Sequence, residues 1–448
     1  MIAAIYYESD GYKVENNKIM GRQVAGNSFL KAYFKYAKNS KFWVYSSNKI
    51  GADDFCKFAN ENGRKEEIKF IDFKNTGALR DPGMLFFPGP DISMQSKRRS
   101  FYKDNAWSLC GITHTTCSAK VMECIQNLVT SPVYPWDSVI CTSRAVRSNV
   151  LKIFEVEEEN LRHKLKASSF TRPQFPVIPL GVDSSEFKFT IEEKNIAKKD
   201  LNIVNNEIVI LYVGRLSFHA KSNPFQMYKS LEEVANRSKR KIVLIECGWY
   251  SNEAIKEGFY KASQSLCPSI NIIHVNGGNN TQKFKAFAAA DIFCSLSDNI
   301  QETFGITPIE AMAAGVPVLA SDWNGYKDTV RDGIDGFLIP TLMPQSGFGK
   351  DLAARYALDI DNYDMYIGNI SNFISVDCPA LTKALSQLIN NDKLRLTMGK
   401  NAFKRALEKY DWEQVIPQYH ELWTNLKSIR VKSTNSIYKW SSRLDPFY

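Results

Sequence analysis

The chain has 448 residues, about three domains' worth at ~150 residues each, so we expect at least two domains. Apolar residues make up 44% and charged residues 23%, an ordinary globular composition that excludes a disordered or low-complexity chain. No apolar run approaches the ~20 residues of a membrane-spanning helix, and the first residues lack the basic flank and apolar stretch of a signal peptide. These features predict a soluble, cytoplasmic protein.

The net charge of +9 is unevenly distributed. Residues 1–190 hold 27 basic and 20 acidic residues, a net +7, which leaves +2 for the remainder. Within this half, Lys97, Arg98 and Arg99 precede Phe101 and Tyr102. The pattern is consistent with peripheral contact to an anionic membrane and equally with a solvated helix face. The nine scattered cysteines indicate reduced thiols in a cytosol and not a disulfide framework.

In the first half of the chain, short apolar runs alternate with helical stretches. The strand-like runs are AAIYY, KFWVYSS, EIKFIDF, GMLFF, SLCGITH, DSVICTS and FPVIPLG. This alternation predicts a parallel sheet covered by helices, in an N-terminal Rossmann-like domain over residues 1–190. The polar stretch from Asp183 to Asn206 has no strong period, and we expect it to be the linker.

The second half repeats the alternation more clearly. Its strand-like runs are EIVILYV, KIVLIE, INIIHV, DIFCSLS, PVLAS and DGFLI. We expect a second doubly wound α/β domain over residues 191–411, interrupted by an excursion at about 344–377. Residues 412–448 are expected to form a helix that packs back on the first domain and then a polar tail. Open parallel sheets bind ligands beyond the carboxyl ends of their strands.

The most informative segment, SDNIQETFGITPIEAMAAGVPVLASDWNG, spans residues 297–325. It places Glu302 and Glu310 on either side of a predicted helix start. The sequence predicts Thr307 as the N-cap, Pro308 at the first helical position and Glu310 three residues after the cap. The free N–H groups at such a start form an anion site. Glu310 then has two interpretations, a capping-box residue or a ligand-binding one, and both stay open.

The same segment resembles the E-x7-E signature of the retaining glycosyltransferases of family GT4, and the resemblance extends over nearly the whole chain. Four further stretches are similar to that family in the right order: FPVIPLGVDSSEF, VGRLSFHAK, RDGIDGFLI and YDWEQVIPQYHELW. The resemblance implies a GT-B fold, two Rossmann-like domains that face a central cleft. It also implies transfer of a sugar from a nucleotide-sugar donor, such as a UDP- or GDP-sugar, to an acceptor hydroxyl on a glycan, glycolipid or small molecule.

The resemblance also implies roles for individual residues. Glu302 is placed against the donor sugar and Glu310 against the nucleotide ribose. Arg215 and Lys221 would hold the diphosphate, although their spacing is one residue longer than the family pattern. The remaining donor-binding residues would be Phe304, Gly305, Ile306 and Thr307, with Gly21 and Gly26 from a loop after the first strand, where Asn27 is a plausible N-cap. His114 would lie near the reacting carbon. No cofactor and no nucleic-acid partner is implied.

Departure of a diphosphate needs preorganised donors, which is typically the largest catalytic contribution available. Arg215, Lys221 and the helix start can supply these donors without a metal ion, so we expect a metal-independent reaction. We also expect attack and departure to share one face of the sugar. The Asp359 and Asp361 pair is the alternative metal site. A GT-B-like nucleotide-sugar isomerase or hydrolase and a non-catalytic nucleotide-sugar-binding protein remain alternative functions.

Overall fold

The computed structural model describes residues 3–12, 21–38, 41–204 and 206–433, apart from the side chain of Arg22. The chain divides into two compact units, one of Met1–Gly181 with Trp412–Tyr448 and the other of Val182–Asp411. Each unit is built around one six-stranded sheet. Among the described residues, no helix combines the length and the apolar character needed to cross a membrane.

The sheet of the first unit is parallel throughout, with strand order β3-β2-β1-β4-β5-β6. Its strands are β1 Ala4–Tyr6, β2 Lys41–Ser46, β3 Glu67–Asp72, β4 Met84–Phe86, β5 Ser108–Ile112 and β6 Ser138–Ile140. The order reverses direction beside β1, which makes the unit doubly wound. The predicted seventh strand, FPVIPLG, forms only isolated bridges such as the one between Cys141 and Val177. Pro176 and Pro179 lack the N–H that a ladder needs.

Helices cover this sheet. They are α1 Gly21–Tyr36, α2 Lys49–Glu61, α3 Ser93–Ser100, α4 Ala119–Thr130 and α5 Arg144–Leu165. Three of them begin at a polar cap: Asn48, Ser118 and Ser143 each accept a hydrogen bond from the backbone N–H three residues on. Gly21 and Gly26 lie inside α1, so the predicted glycine loop is wrong at these two positions. Asn27 is not a cap; its side chain donates to the Tyr12 carbonyl at 2.9 Å.

The core of the first unit contains a charged pair. Arg99 and Asp137 are both fully buried, and the guanidinium donates to both carboxylate oxygens at 2.6 and 2.7 Å. The same guanidinium also donates to the carbonyls of Trp107 and Pro132. Arg99 is therefore a structural residue and does not belong to the basic surface that the sequence suggested. Only Lys97 and Arg98 of that run remain for the surface.

The second unit has the same kind of sheet, again parallel throughout, in the order β12-β11-β10-β7-β8-β9. Its strands are β7 Ile208–Val213, β8 Ile242–Gly248, β9 Asn271–Asn276, β10 Ile292–Ser295, β11 Val318–Ser321 and β12 Gly336–Ile339. β7 is buried along its whole length, as expected for a strand covered on both faces. A separate antiparallel pair consists of β13 Thr341–Leu342 and β14 Ser375–Val376.

The helices of the second unit also occupy segments that the sequence left without structure. They are α6 Ile191–Asp200, α7 Phe225–Arg237, α8 Glu253–Leu266, α9 Asn280–Ala289, α10 Ile306–Ala313, α11 Tyr326–Thr329, α12 Lys350–Ala357, α13 Tyr363–Ser371, α14 Cys378–Asn390 and α15 Asp392–Arg405. The predicted linker contains α6, because Thr190 and Glu193 form a complete capping box. α12 and α13 lie within the predicted excursion.

The last helix, α16 Trp412–Lys432, belongs to the first unit. The indole N–H of Trp412 donates to the Ser28 hydroxyl in α1 at 2.7 Å, and the ring packs edge-on to Phe29. Gly181 lies so close to this indole that a Cβ there would be 2.4 Å from a ring carbon. The polar tail predicted beyond the helix lies outside the described residues from 434 onward.

Candidate active site in the second unit

The loops that follow β7, β8 and β9 are packed backbone to backbone. A Cβ on Gly248, which ends β8, would lie 2.0 Å from the Gly214 carbonyl oxygen, and one on Gly277 would lie 2.9 Å from the Cα of Gly248. Side chains at these positions would push the strand ends apart. The carboxyl edge of the sheet is where parallel sheets place their ligands, so the loops at this edge form the candidate site.

Lys221 and Glu302 form an ion pair at this edge. The ammonium of Lys221 donates to Glu302 Oε2, although the two residues are 81 positions apart in the chain. The Tyr326 hydroxyl lies 3.4 Å from the same oxygen and 2.9 Å from the Ser295 hydroxyl. The structure thus brings together two residues that the sequence named separately, and it adds Tyr326, which sequence analysis missed.

Glu302 is ionised at neutral pH in this arrangement. Burial would raise the pKa of its carboxyl, but Lys221, the Phe304 N–H and the Tyr326 hydroxyl stabilise the charged form and hold the pKa below its ordinary value. Burial raises the pKa of Tyr326 well above its ordinary value, so Tyr326 is a neutral hydrogen-bond donor. Glu302 is accordingly suited to accept hydrogen bonds from ligand hydroxyls and not to give up a proton.

Arg215 lies in the same β7–α7 loop as Lys221. Its guanidinium donates to the Ala220 carbonyl at 3.0 Å, and its own carbonyl accepts from the Tyr212 hydroxyl at 3.2 Å. The first contact joins Arg215 to the residue before Lys221, so both cations lie on one closed segment of the loop.

Helix α10 begins two residues earlier than the sequence predicted. Gly305 is the N-cap, with φ +87°, and the helix starts at Ile306. The predicted cap at Thr307 is therefore wrong, and Glu310 is too far along the helix for a capping box. A Cβ on Gly305 would lie 2.2 Å from the Tyr326 ring, so this position needs glycine for its backbone angle and for its space. The first N–H groups of α10, at Ile306 and Thr307, have no partner within the helix and make an anion site.

Glu310 has a partner that the sequence did not reveal. Lys283 of α9 donates to Glu310 Oε1 at 3.0 Å, while Glu310 Oε2 is buried without a hydrogen-bond partner. Burial would lower the pKa of Lys283, but the carboxylate outweighs it and raises the pKa above its ordinary value. Glu310 is thus held by one oxygen, and its other oxygen remains able to accept from a ligand hydroxyl.

The remaining predicted residues lie directly before α10 or in the first unit. Phe304, directly before the cap, is buried against the Tyr410 ring and contributes its backbone and not its side chain. His114 belongs to the first unit, two residues after β5, and is half-buried. Gly21 and Gly26 are in α1 of the same unit; a Cβ on Gly26 would lie 2.4 Å from the Gly11 carbonyl oxygen. The absence of a side chain at Gly26 therefore allows α1 to pack against the backbone at Gly11.

One of the two alternative metal residues, Asp361, is engaged in a local contact. Arg355 donates to both carboxylate oxygens of Asp361 at 2.8 and 2.9 Å, and Asn369 reaches one of them. Asp359 takes a left-handed backbone conformation with φ +55°. Across the part of the chain that the structure describes, no group of three or more His, Cys, Asp or Glu side chains is arranged to hold a metal ion.

Comparison with known proteins finds similarity over the segment that holds this site. Residues 193–346 match the model of the family described as glycosyl transferases group 1. The chain is 24% identical over 252 residues to the lipopolysaccharide 1,2-N-acetylglucosaminetransferase of Salmonella typhimurium, covering 56% of each chain. It is 31% identical over 156 residues to the phosphatidyl-myo-inositol mannosyltransferase of Mycobacterium leprae, covering 34% of this chain and 32% of that one. The chain spans about half or less of the length of these relatives.

Two solved structures resemble nearly the whole chain. The Anabaena protein HepE in complex with UDP superposes with a TM-score of 0.61 at 16% identity, covering 95% of this chain and all of that one. The sucrose-phosphate synthase of Thermosynechococcus elongatus gives a TM-score of 0.56 at 16% identity, covering 96% of this chain and all of that one. The predicted fold class is confirmed: the chain has the two-domain α/β GT-B fold. Its second unit contains residues 193–346, the stretch that matches the group 1 glycosyltransferase model.

Proposed function

We propose that this protein is a retaining glycosyltransferase of family GT4 that moves a sugar from a nucleotide-sugar donor to an acceptor hydroxyl. One observation carries the proposal. The Lys221–Glu302 pair, the open N-terminal turn of α10 and the half-satisfied Glu310 carboxylate all lie within the segment that matches the group 1 glycosyltransferase model. This is a set of groups for an anion and for sugar hydroxyls.

In this proposal the cations and the helix start hold the departing diphosphate. Arg215 and Lys221 supply two positive charges, and the N–H groups of Ile306 and Thr307 supply uncharged donors. Glu302 accepts from hydroxyls of the donor sugar, and Glu310 Oε2 accepts from the ribose. The roles that the resemblance assigns to His114, Gly21 and Gly26 stay predictions. These residues supply no obvious covalent nucleophile, so the acceptor oxygen attacks on the face from which the diphosphate departs. As the sugar–phosphate bond breaks, the departing phosphate oxygen takes the proton of the acceptor hydroxyl.

The experiment is a panel of UDP-, GDP- and ADP-sugars in which release of the nucleoside diphosphate is followed with and without a sugar or glycolipid acceptor. Slow release that an acceptor stimulates supports a transferase. Release that no acceptor stimulates indicates a hydrolase or isomerase, and binding without release indicates a sensor. A panel in which no nucleotide sugar binds would refute the proposal.

The proposal includes independence from divalent cations, because the protein's own cations and helix start offset the charge of the diphosphate. Activity in excess EDTA should equal activity without it. Loss of activity that Mg²⁺ or Mn²⁺ restores would contradict this part and return attention to Asp359 and Asp361.

A peripheral membrane contact is a separate part of the proposal, together with a cytoplasmic location. Met94, Phe101 and Tyr102 are exposed beside Lys97 and Arg98 of α3, so apolar and basic groups share one surface. Anionic vesicles at ~0.15 M salt should co-sediment the protein, and neutral vesicles should not. The double substitution Lys97→Glu and Arg98→Glu should abolish binding to anionic vesicles. Equal recovery of the wild type and the double variant with these vesicles would exclude a contact through α3.

A further inference from the structure

The loop that carries Lys221 is fastened to the segment between β10 and α10. Five hydrogen bonds join residues 219–223 to residues 296–301, and each involves a side chain of one of the two segments. They are Ser222 Oγ to the Leu296 carbonyl at 2.7 Å, Ser297 Oγ to the Lys221 carbonyl at 3.2 Å, the Asn223 N–H to Asp298 Oδ2 at 3.2 Å, Asn299 Nδ2 to the His219 carbonyl at 2.8 Å, and Gln301 Nε2 to the Ala220 carbonyl. These contacts fix where Lys221 stands relative to Glu302.

Asp298 is the only titratable side chain among these five contacts. It is 4% exposed, and its Oδ1 is buried without a hydrogen-bond partner. Within the described ranges, no cation forms an ion pair with it, unlike Glu302 and Glu310. Burial raises the pKa of its carboxyl to about 7, although the Asn223 N–H opposes the shift. Its charge is thus balanced by no neighbouring cation.

The charges around it are otherwise mostly paired. Lys221 is paired with Glu302 and Lys283 with Glu310. Of the other charges near this edge, Arg215 is positive and the buried Glu246 of β8 is negative. An ionised Asp298 adds a further negative charge, which opposes an anionic ligand, and a neutral Asp298 adds none.

We propose that Asp298 is a positioning residue that also sets the net charge of the donor site, binding the nucleotide-sugar diphosphate well as a neutral acid and poorly as a carboxylate. This rests on the proposed function, because it assumes that the anion bound here is a nucleotide-sugar diphosphate. By linkage, a donor that prefers the neutral form makes its affinity fall as pH rises.

Other titratable groups around Asp298 do not imitate this behaviour. Burial, followed by the charge of Glu246 and then of Asp298, raises the pKa of Tyr212 in β7 far above neutral. Burial lowers the pKa of His219, so this imidazole gains its charge only below the pH at which Asp298 titrates. Glu302 is ionised throughout, as shown above. Of these groups, Asp298 alone changes charge between about pH 6.5 and pH 8.5.

The experiment measures affinity for the UDP-, GDP- or ADP-sugar that the panel identifies, by calorimetry from pH 6.5 to pH 8.5. A nucleotide sugar is used because its diphosphate is a diester without an ionisation in this window. We expect the dissociation constant of the wild type to rise roughly five- to twentyfold across the range, from a single proton whose pKa increases on binding. Asp298→Asn should give a flat profile at the affinity that the wild type shows at pH 6.5.

Two further variants separate charge from structure. Asp104→Asn replaces a buried aspartate of the first unit whose pKa burial also raises and which accepts from the Tyr134 hydroxyl at 2.7 Å; it should keep the wild-type profile. His219→Asn should retain the change near pH 7. A wild-type dissociation constant that does not change with pH, or an Asp298→Asn variant whose dissociation constant still rises with pH as in the wild type, would overturn the inference. If that variant does not fold, the wild-type measurement alone still tests it. A wild type that binds no nucleotide sugar refutes the proposed function instead.

Discussion

The substitution Glu310→Gln tests the Lys283–Glu310 ion pair, which the structure shows in place of the predicted capping box. As a capping-box residue, Glu310 could be exchanged for Gln at little cost, since Gln serves equally well in that motif. In the structure it is 6% exposed and its Oε1 accepts from Lys283. Gln keeps an acceptor atom but removes the charge that offsets the partial burial of the ammonium, so the substitution leaves the half-buried Lys283 without its carboxylate partner.

The expected loss of stability follows from the strength of a charged hydrogen bond. Such a bond contributes about 1.5–3 kcal/mol, and each kcal/mol shifts the melting temperature by about 2–4 °C in a unit of this size. We therefore expect the melting temperature of Glu310→Gln to fall by roughly 3–12 °C. The raised pKa of Lys283 in the wild type adds stability that is present below its ordinary value of 10.5 and is lost as pH rises through the folded-state value. In Glu310→Gln this alkaline loss should disappear.

Nucleotide affinity provides the second measurement. If Oε2 accepts from the ribose, calorimetry should show at least ~tenfold weaker binding of the nucleoside diphosphate, since the amide offers one acceptor atom in place of two. Glu158→Gln is the matched control: Glu158 is 1% exposed, lies in the first unit and is paired with Arg172 at 2.5 Å. It should lose stability and keep its affinity. Unchanged stability and affinity in Glu310→Gln would refute both the ion pair and the ribose contact.

Three further substitutions address the rest of the site. Glu302→Gln should spare nucleoside-diphosphate binding and lower turnover, because Glu302 faces the sugar in our proposal; normal turnover would show that the assignment is wrong. Gly305→Ala should destabilise the protein by at least ~1–3 kcal/mol in thermal or urea unfolding, since the new Cβ meets the Tyr326 ring at a positive φ. Arg215→Ala should weaken nucleoside-diphosphate binding at least ~tenfold with a small effect on melting temperature, and unchanged affinity would mean that the diphosphate is held elsewhere.

The two sheets were predictable because their strands are short apolar runs separated by helices, and β7 and β10 are buried on both faces as such runs require. The errors arose where local chemistry outweighed the pattern. Thr190 and Glu193 form a capping box inside a stretch that looked too polar to fold, and Pro176 and Pro179 prevented an apolar run from becoming a strand. The capping-box residues and the two prolines are visible in the sequence. Apolar periodicity does not reveal them because they are individual residues and not a repeating pattern.

The sequence singled out candidate residues but not their pairings. Spacing marked Glu302, Glu310 and the glycine before α10 as candidates, since that pattern is local in the chain. The partners of the two glutamates, Lys221 and Lys283, lie 81 and 27 positions away and reach them only through the order of strands in the sheet.

Those pairings determine what each carboxylate can do. Despite burial, Lys221 holds the pKa of Glu302 below its ordinary value, and Glu310 is bonded to Lys283 through one oxygen. Asp298 has no such partner among the described residues, and burial raises its pKa to about 7. Three acidic residues within thirteen positions therefore differ in what each can do, and the difference comes from whether the fold places a lysine beside the carboxylate.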